Sequence, residues 1–161
     1  TILFLMINNF ETYLTNENIY LIANWGVIPF WLMILAIPNH ALTKFFVHSI
    51  ILPLILSTAY IFVAYKIYLN ENIFEGFQLY LGLESLYTVF SNESFLLVFW
   101  LHFLSISLFL GSWMARDGHK YFIPRTLMII PLLLTYFTGP IGLFIYWIIR
   151  LFFAKKISFN D

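Results

Sequence analysis

The 161-residue chain contains no cysteine. Structural disulfides, thiolate nucleophiles, iron–sulfur clusters and cysteine zinc sites are therefore excluded together, and the sequence carries no sign of its redox environment. Charged residues are also scarce, because Asp, Glu, Lys and Arg make up only 10% of the chain. Any chemistry must come from histidine, carboxylate, hydroxyl and aromatic side chains.

The chain has no formal net charge, since eight basic residues balance eight acidic ones. Nucleic-acid binding needs a basic surface, so no nucleic-acid partner is expected. By contrast, 61% of the residues are hydrophobic and the mean hydropathy is +0.87. Soluble domains contain about 25% charged residues, and a chain with so few cannot cover a water-facing surface. The composition therefore predicts an integral membrane protein.

Four long runs free of Lys, Arg, Asp and Glu reach the roughly 17–25 residues that cross a bilayer core as a helix. They predict spans at about residues 18–38, 45–67, 94–115 and 126–150. The short connections from the first span to the second, and from the third to the fourth, favour antiparallel packing. No internal repeat or second domain is visible, so residues 1–161 are expected to form a single transmembrane domain, an all-α four-helix bundle. The opening residues lack the basic start of a signal peptide, and none is expected.

The connection between the second and third spans, Asn70 to Glu93, is longer and mixes acidic with aromatic residues. A structureless loop of this length is uncommon inside a compact domain. The segment is therefore expected to lie along the membrane interface as an amphipathic element or to be re-entrant.

Lys and Arg residues in short loops normally indicate orientation, because cytoplasmic loops carry an excess of them. In a four-span chain the basic residues divide equally: Lys66, Arg150, Lys155 and Lys156 lie on the side of both termini, and Lys44, Arg116, Lys120 and Arg125 lie on the other. The loop after the third span holds three of these charges. We therefore expect that loop to face the cytoplasm.

The fourth predicted span carries Thr138, Gly139 and Pro140 near its middle. Proline removes a backbone hydrogen bond and disfavours helical geometry at the preceding residue, so a kink or break is predicted here. Broken helices occur at membrane depth only where they are buried in protein or line a cavity. The break is either the wall of an internal site or an ordinary kink used for packing.

Two histidines fall inside predicted spans. His102 lies near the middle of the third span, where an ionisable group is costly and indicates a proton relay or the binding of a polar ligand group. The structural alternative is a neutral imidazole hydrogen-bonded to Ser105, three residues on. His48 lies near a span end, where a structural role is expected. Because the histidines are widely spaced and no carboxylate lies inside a span, no metal site is expected.

Two stretches carry a recognisable order of residues: WLHFLSISLFLGSWMARDGHKYFIPR, from Trp100 to Arg125, and PLLLTYFTGPIGLFIYWIIR, from Pro131 to Arg150. This order resembles a small membrane family typified by the plant neoxanthin-synthesis protein, the abscisic-acid-deficient-four type. In that family a Trp and a His open the third span, a Gly and a Trp close it, an Asp begins the next loop, and a Gly-Pro-x-Gly step breaks the fourth. The matching residues here are Trp100, His102, Gly111, Trp113, Asp117, Gly139, Pro140 and Gly142.

The resemblance implies an isomerase that converts a xanthophyll epoxide, violaxanthin in the plant relatives, into the allenic neoxanthin without a redox cofactor. An acid would protonate the epoxide oxygen while a base takes a proton from the polyene. His102 would take one of these roles, and Asp117 with Arg116 would take the other or position the ring. The residues expected to contact the ligand are Tyr60, Trp100, Ser107, Trp113, Gly139 and Pro140.

One departure from the family pattern is Ser107, five residues after His102, where the family usually has an Asp. A serine cannot replace a buried carboxylate as an acid. The alternative function is therefore a non-catalytic carotenoid- or lipid-binding subunit of a membrane assembly. The expected partners are membrane lipid and a carotenoid ligand, in a homo-oligomer or a larger membrane complex. Because the family has many bacterial relatives, we expect a bacterial inner membrane as the location.

Overall fold

The computed structural model describes residues 13–49, 51–70 and 73–155, which are helical apart from short connections. Helices α1 (Asn16–Gly26) and α2 (Ile28–Ala36) are followed by α3 (Ala41–Phe46) and α4 (Ile51–Asn70). A 3-10 helix (Ile73–Tyr80) and α5 (Leu83–Phe90) lead to the long α6 (Glu93–Lys120), and then to α7 (Arg125–Thr138) and α8 (Pro140–Ala154). The predicted all-α class is confirmed, since no strand occurs among the described residues.

Three helical segments are long and apolar enough to cross a membrane: Asn16–Ala36, Ala41–Leu69 and Glu93–Lys120. They coincide with the first three predicted spans and support an integral membrane protein. The predicted fourth span consists instead of two shorter apolar helices, α7 and α8. The four-helix bundle is therefore not confirmed.

The contacts divide the chain into two compact units. The first unit contains Thr1–Gly26 and Ile55–Leu104, and the second contains Val27–Leu54 and Ser105–Asp161. The prediction of a single transmembrane domain stays a prediction. The 3-10 helix and α5 occupy the segment expected to be interfacial or re-entrant, and its position relative to the bilayer is also still a prediction.

The break predicted in the fourth apolar segment is confirmed at Gly139, which separates α7 from α8 in the second unit. Gly139 has φ 66° and ψ −84°, a conformation in which a side chain would be strained. Its N–H donates to the carbonyl of Thr135 at 2.9 Å. The Thr138 hydroxyl donates to the carbonyl of Leu134 at 2.7 Å. These bonds satisfy polar groups beside the turn, as membrane depth requires.

Helices α7 and α8 fold back on one another as a hairpin. A Cβ on Gly142, three residues after Gly139, would clash with the Thr135 side chain and with the carbonyl oxygen of Pro131. In one continuous helix the residues 142 and 131 would be about 16 Å apart along the axis. The Gly-Pro-x-Gly step is therefore a tight turn between two antiparallel helices, and the second glycine allows their close approach.

Both arms of this hairpin pack against the last turns of α6. From α7, the Sδ of Met128 lies 2.9 Å from the place where a Cβ on Gly118 would be. From α8, the Tyr146 ring meets Trp113 edge-on, with centroids 5.6 Å apart. Because Met128 precedes the turn and Tyr146 follows it, α7 runs away from this end of α6 and α8 returns to it.

The indole of Trp31 fills the space beside Gly111 in the second unit. Trp31 is only 4% exposed, and a Cβ on Gly111 would lie 2.5 Å from its Cη2 atom. Gly111→Ala should therefore lower the free energy of unfolding by about 1 kcal/mol, because the ring must shift. Thermal unfolding in detergent measures the loss. In a double-mutant cycle, Trp31→Phe should relieve part of it, and strictly additive losses would contradict the contact.

Candidate functional site

Tyr60 of α4 and His102 of α6 lie beside a pocket of about 140 Å³ in the first unit, which we call the aromatic pocket. Their ring centroids are 6.5 Å apart and the ring planes are inclined by 55°. The other lining residues are apolar: Leu79, Val89, Phe90, Phe95, Val98 and Phe99. Apolar walls with a few convergent polar groups are typical of a small-molecule site.

The spacing of residues along α6 explains this wall. Phe95, Phe99 and His102 follow one another at intervals of four and three residues, so they lie on one face of the helix. His102 is therefore presented to the pocket by the same face that supplies the phenyl rings. The structure thus brings together Tyr60, a predicted ligand contact, and His102, a predicted catalytic residue.

In the part of the chain that the structure describes, neither the Tyr60 hydroxyl nor the His102 imidazole forms a hydrogen bond with another residue, although the two rings lie close to one another. The expected alternative, an imidazole bonded to Ser105, is not found there. Both side chains are exposed, Tyr60 by 37%. A neutral imidazole can accept a proton on one nitrogen and donate from the other, and a phenol can donate. The pair can therefore supply both an acid and a base to a bound ligand.

Trp100 lies on a different face of α6 from His102 and outside the aromatic pocket. Its ring stacks on Phe103 at 5.4 Å and approaches Tyr20 of α1 at 6.2 Å. Its Nε1 is buried and has no hydrogen-bond partner among the described residues. Trp100 instead lines a wide groove with Leu96, Leu97, Tyr20, Asn16, Glu17 and Glu93. It stays a predicted ligand contact, but not one beside Tyr60.

Asp117, near the end of α6, accepts hydrogen bonds from two residues of α8 in the second unit. The donors are the Nε of Arg150, at 2.6 Å, and the hydroxyl of Tyr146. Arg150 also donates from Nη2 to the Tyr121 hydroxyl at 3.3 Å, and its guanidinium lies 4.6 Å from the Tyr121 ring centroid. Arg150 and Tyr146 are fully buried. We call Asp117 and Arg150 the buried ion pair.

Helix geometry determines which arginine pairs with Asp117. Arg116 is exposed, because neighbouring helical residues point about 100° apart. Tyr146 and Arg150 are four residues apart in α8 and therefore share one face. The sequence alone indicated neither role, since Arg150 was expected only as a charge at the end of a span. A tyrosine and an arginine four residues apart in an otherwise apolar helix could have indicated a buried polar partner for this face.

The other predicted ligand contacts are spread over the second unit. Trp113 packs against Tyr146 of α8 and so adjoins the buried ion pair. Gly139 and Pro140 form the hairpin turn. Ser107 is 4% exposed in α6. Within the part of the chain that the structure describes, these residues do not line a common pocket. Their roles as ligand contacts stay predictions.

His48 is held by two hydrogen bonds within the second unit. Its Nε2 donates to the carbonyl of Pro38 at 3.0 Å, because a carbonyl oxygen only accepts. Its Nδ1 lies 2.7 Å from the Ser112 hydroxyl. These bonds join the start of the second span to α6 and agree with the structural role expected for His48.

The buried ion pair and the aromatic pocket are polar centres of different kinds. No group of three or more His, Asp or Glu side chains among them is placed to hold a metal ion. The buried ion pair is filled by its own side chains, whereas the aromatic pocket has space for a ligand. The aromatic pocket is therefore the better candidate for a functional site.

Comparison with known proteins gives the family. The sequence matches the family described as ABA DEFICIENT 4-like over residues 18–146, which is most of the chain. The chain belongs to the ABA4-like family. No curated protein and no solved structure matches it.

The resemblance drawn from the sequence is thereby confirmed, and the long apolar helices make this ABA4-like protein an integral membrane protein. The matched range contains Tyr60 and His102 of the aromatic pocket. It also contains Asp117 and Tyr146, whereas Arg150 lies beyond it. Both polar centres of this ABA4-like protein are thus built mainly from residues inside the family region.

Proposed function

We propose that this ABA4-like protein isomerises a xanthophyll epoxide to an allenic carotenoid, and that the aromatic pocket receives the ring end of the substrate. The observation that supports this most is the meeting of a phenol, Tyr60, and an imidazole, His102, beside aromatic walls. Sites for whole drug-sized ligands measure about 300–1,000 Å³. A pocket of about 140 Å³ takes only one end of a long carotenoid, and the polyene then extends along the lipid-facing surface.

The chemistry needs one proton donor and one proton acceptor. Tyr60 gives its phenolic proton to the epoxide oxygen, and the bond from that oxygen to the ring carbon next to the polyene breaks. His102 takes the proton from the adjacent vinylic carbon, and the electrons of that C–H bond form the new double bond of the allene. The proton then returns from the imidazolium to the phenolate through a water molecule or the product hydroxyl. No atom or electron is gained or lost, so no redox cofactor is needed.

In this scheme Asp117 has a structural role. Its carboxylate is already engaged by Arg150 and Tyr146, and it holds α8 against α6. The absence of the usual family Asp at Ser107 then does not remove the proton donor, because Tyr60 supplies it. Arg116 is exposed near the end of α6, 14 residues or about 21 Å beyond His102, and we keep it as a predicted contact to the ring at the other end of the carotenoid.

The experiment is conversion of a purified 5,6-epoxide xanthophyll by the protein reconstituted in liposomes, followed by chromatography and mass spectrometry. The wild-type protein should yield an allenic product of unchanged mass. His102→Gln and Tyr60→Phe should each slow conversion by about 100-fold or more, the range of a general acid or base. Both variants should still carry the pigment through purification, because the pocket walls are unchanged.

His119→Gln is the matched control, since His119 is a second exposed imidazole of α6 that lies outside the aromatic pocket. It should convert substrate at the wild-type rate. Bound pigment that never changes would favour the alternative, a non-catalytic carotenoid-binding subunit. A protein with neither bound pigment nor product would overturn the carotenoid function as a whole.

We further propose a bacterial inner membrane as the site of action, with membrane lipid around the exposed aromatic residues. Assembly is proposed as a homo-oligomer or as part of a larger membrane complex. Mass measurement of the protein extracted in a mild detergent distinguishes the two, because only a larger complex brings other polypeptides with it. A free monomer would contradict both.

A further inference from the structure

We propose that the α7–α8 hairpin is re-entrant, so that it enters and leaves the hydrocarbon on one side, and that its base forms part of a basic surface for anionic lipid headgroups of the cytoplasmic leaflet. The two helices have 14 and 15 residues, or about 21 and 22 Å at 1.5 Å per residue. The hydrocarbon core is about 30 Å thick. Neither arm therefore spans the bilayer by itself.

Contacts at the base of the hairpin place both of its ends at the same end of α6. Helix α7 begins at Arg125, four residues after Tyr121. Helix α8 returns to the same end of α6, as two hydrogen bonds of Arg150 show. Its Nε donates to Asp117 at 2.6 Å and its Nη2 donates to the Tyr121 hydroxyl at 3.3 Å. A fourth crossing would instead carry Arg150 to the opposite end of α6.

The tip of the hairpin has the surface of a segment that lies in lipid. Around the Gly139 turn, Phe137 is 70% exposed, Ile141 is 53% exposed and Phe144 is 66% exposed. Large apolar side chains at this exposure favour a hydrocarbon environment over water. The bonded backbone at Gly139 is compatible with that environment.

With a re-entrant hairpin, the basic residues no longer divide equally between the two sides of the membrane. Because α8 returns, Lys155 at its end joins the charges of the other side. The exposed cations of the second unit are then Lys44, Arg116, Lys120, Arg125 and Lys155. Asp117 is the one carboxylate among the described residues of this unit, and Arg150 neutralises it.

Two hydrogen bonds connect the end of α2 and the residues after it to the end of α6 and to the start of α7. Asn39 Nδ2 lies 3.3 Å from His119 Nδ1, and Arg125 donates from Nη2 to the carbonyl of Ala36. The exposed cations of α3, α6, α7 and the α8 end therefore border one surface. Cytoplasmic loops are rich in Lys and Arg, and the cytoplasmic leaflet is anionic. The chemistry that fits this surface is the phosphate of an anionic phospholipid.

The absence of cysteine makes the topology directly measurable. Single cysteines replace four exposed residues, Ser91, Lys120, Phe137 and Lys155, and are labelled with a membrane-impermeant maleimide in right-side-out and inverted vesicles. Lys120→Cys and Lys155→Cys should react only from the cytoplasmic side, and Ser91→Cys only from the other. Phe137→Cys should react only after detergent is added.

Opposite labelling of the cysteines at 120 and 155 would overturn the re-entrant hairpin, because it requires a fourth crossing. Labelling of both from the outer side would overturn the cytoplasmic orientation. The lipid part is tested by native mass spectrometry of purified protein with phosphatidylglycerol and phosphatidylcholine. Arg125→Gln should weaken phosphatidylglycerol binding by about fivefold, and Lys66→Gln, outside this surface, should not. Equal retention of the two lipids would contradict the proposal.

Discussion

Arg150→Met should lower the free energy of unfolding by about 3–5 kcal/mol, the cost of leaving a buried charge without its partner. Asp117 then has only the Tyr146 hydroxyl in place of an ion pair. The apolar surroundings make this costly, since Arg150 is fully buried. Denaturation of the purified protein in detergent, followed by fluorescence of the nearby tryptophans, measures the loss.

Arg116→Gln is the matched control, because Arg116 precedes Asp117 in the chain but does not form the ion pair. Arg116 is exposed, and surface charges contribute about 0–1 kcal/mol. The double variant Asp117→Leu with Arg150→Met should lose less than the sum of the two single variants, because no lone charge remains. If Arg116→Gln cost as much as Arg150→Met, the buried ion pair would not be what holds α8 to α6.

Gly142→Ala should destabilise the protein by about 3 kcal/mol, near the upper end for an overpacked core. The new methyl group would meet the backbone of Thr135 and the carbonyl of Pro131, which cannot rotate aside as a side chain can. The two arms of the hairpin must separate to make room. Thermal unfolding in detergent gives the shift, and the accessibility of a tip cysteine reports whether the hairpin opens.

Gly26→Ala provides the comparison for the hairpin glycine. It also lies at the end of an apolar helix, but no atom lies within 4 Å of the place where its Cβ would be. The added methyl group should leave stability unchanged or raise it by up to about 1 kcal/mol, from helix propensity. Equal losses at positions 26 and 142 would show that the close approach of α7 and α8 is not tight.

The break in the fourth apolar segment shows what a local sequence pattern can predict and what it cannot. Gly139 and Pro140 predict an interruption, because backbone preferences depend on the residue and its neighbours. They do not indicate the direction that the chain takes afterwards, since a kink and a hairpin use the same residues. That direction is visible only in the approach of Gly142 to Pro131.

The candidate sites show the same limit. The sequence identified His102 and Tyr60 separately, from midplane position and family placement, but gave no reason to pair them. It placed Asp117 beside Arg116, its neighbour in the chain, whereas the structure pairs Asp117 with Arg150. Such pairings depend on which helix faces meet, and a single apolar helix does not encode the orientation of its neighbours.

The order of residues in the sequence indicated the ABA4-like family. The sequence also predicted four spans, whereas the structure has three long apolar helical segments among its described residues. By itself, the sequence determined an all-helical membrane protein with an interruption near Gly139. These features follow from sums over consecutive residues, namely the transfer of apolar side chains from water and the backbone preferences of glycine and proline. Only the tertiary structure decided that α7 and α8 form a hairpin, that Arg150 binds Asp117, and that Tyr60 meets His102. Each of these features depends on packing between residues far apart in the chain. Helices of similar apolar composition can pack in several ways, and close contacts and buried hydrogen bonds select one of them.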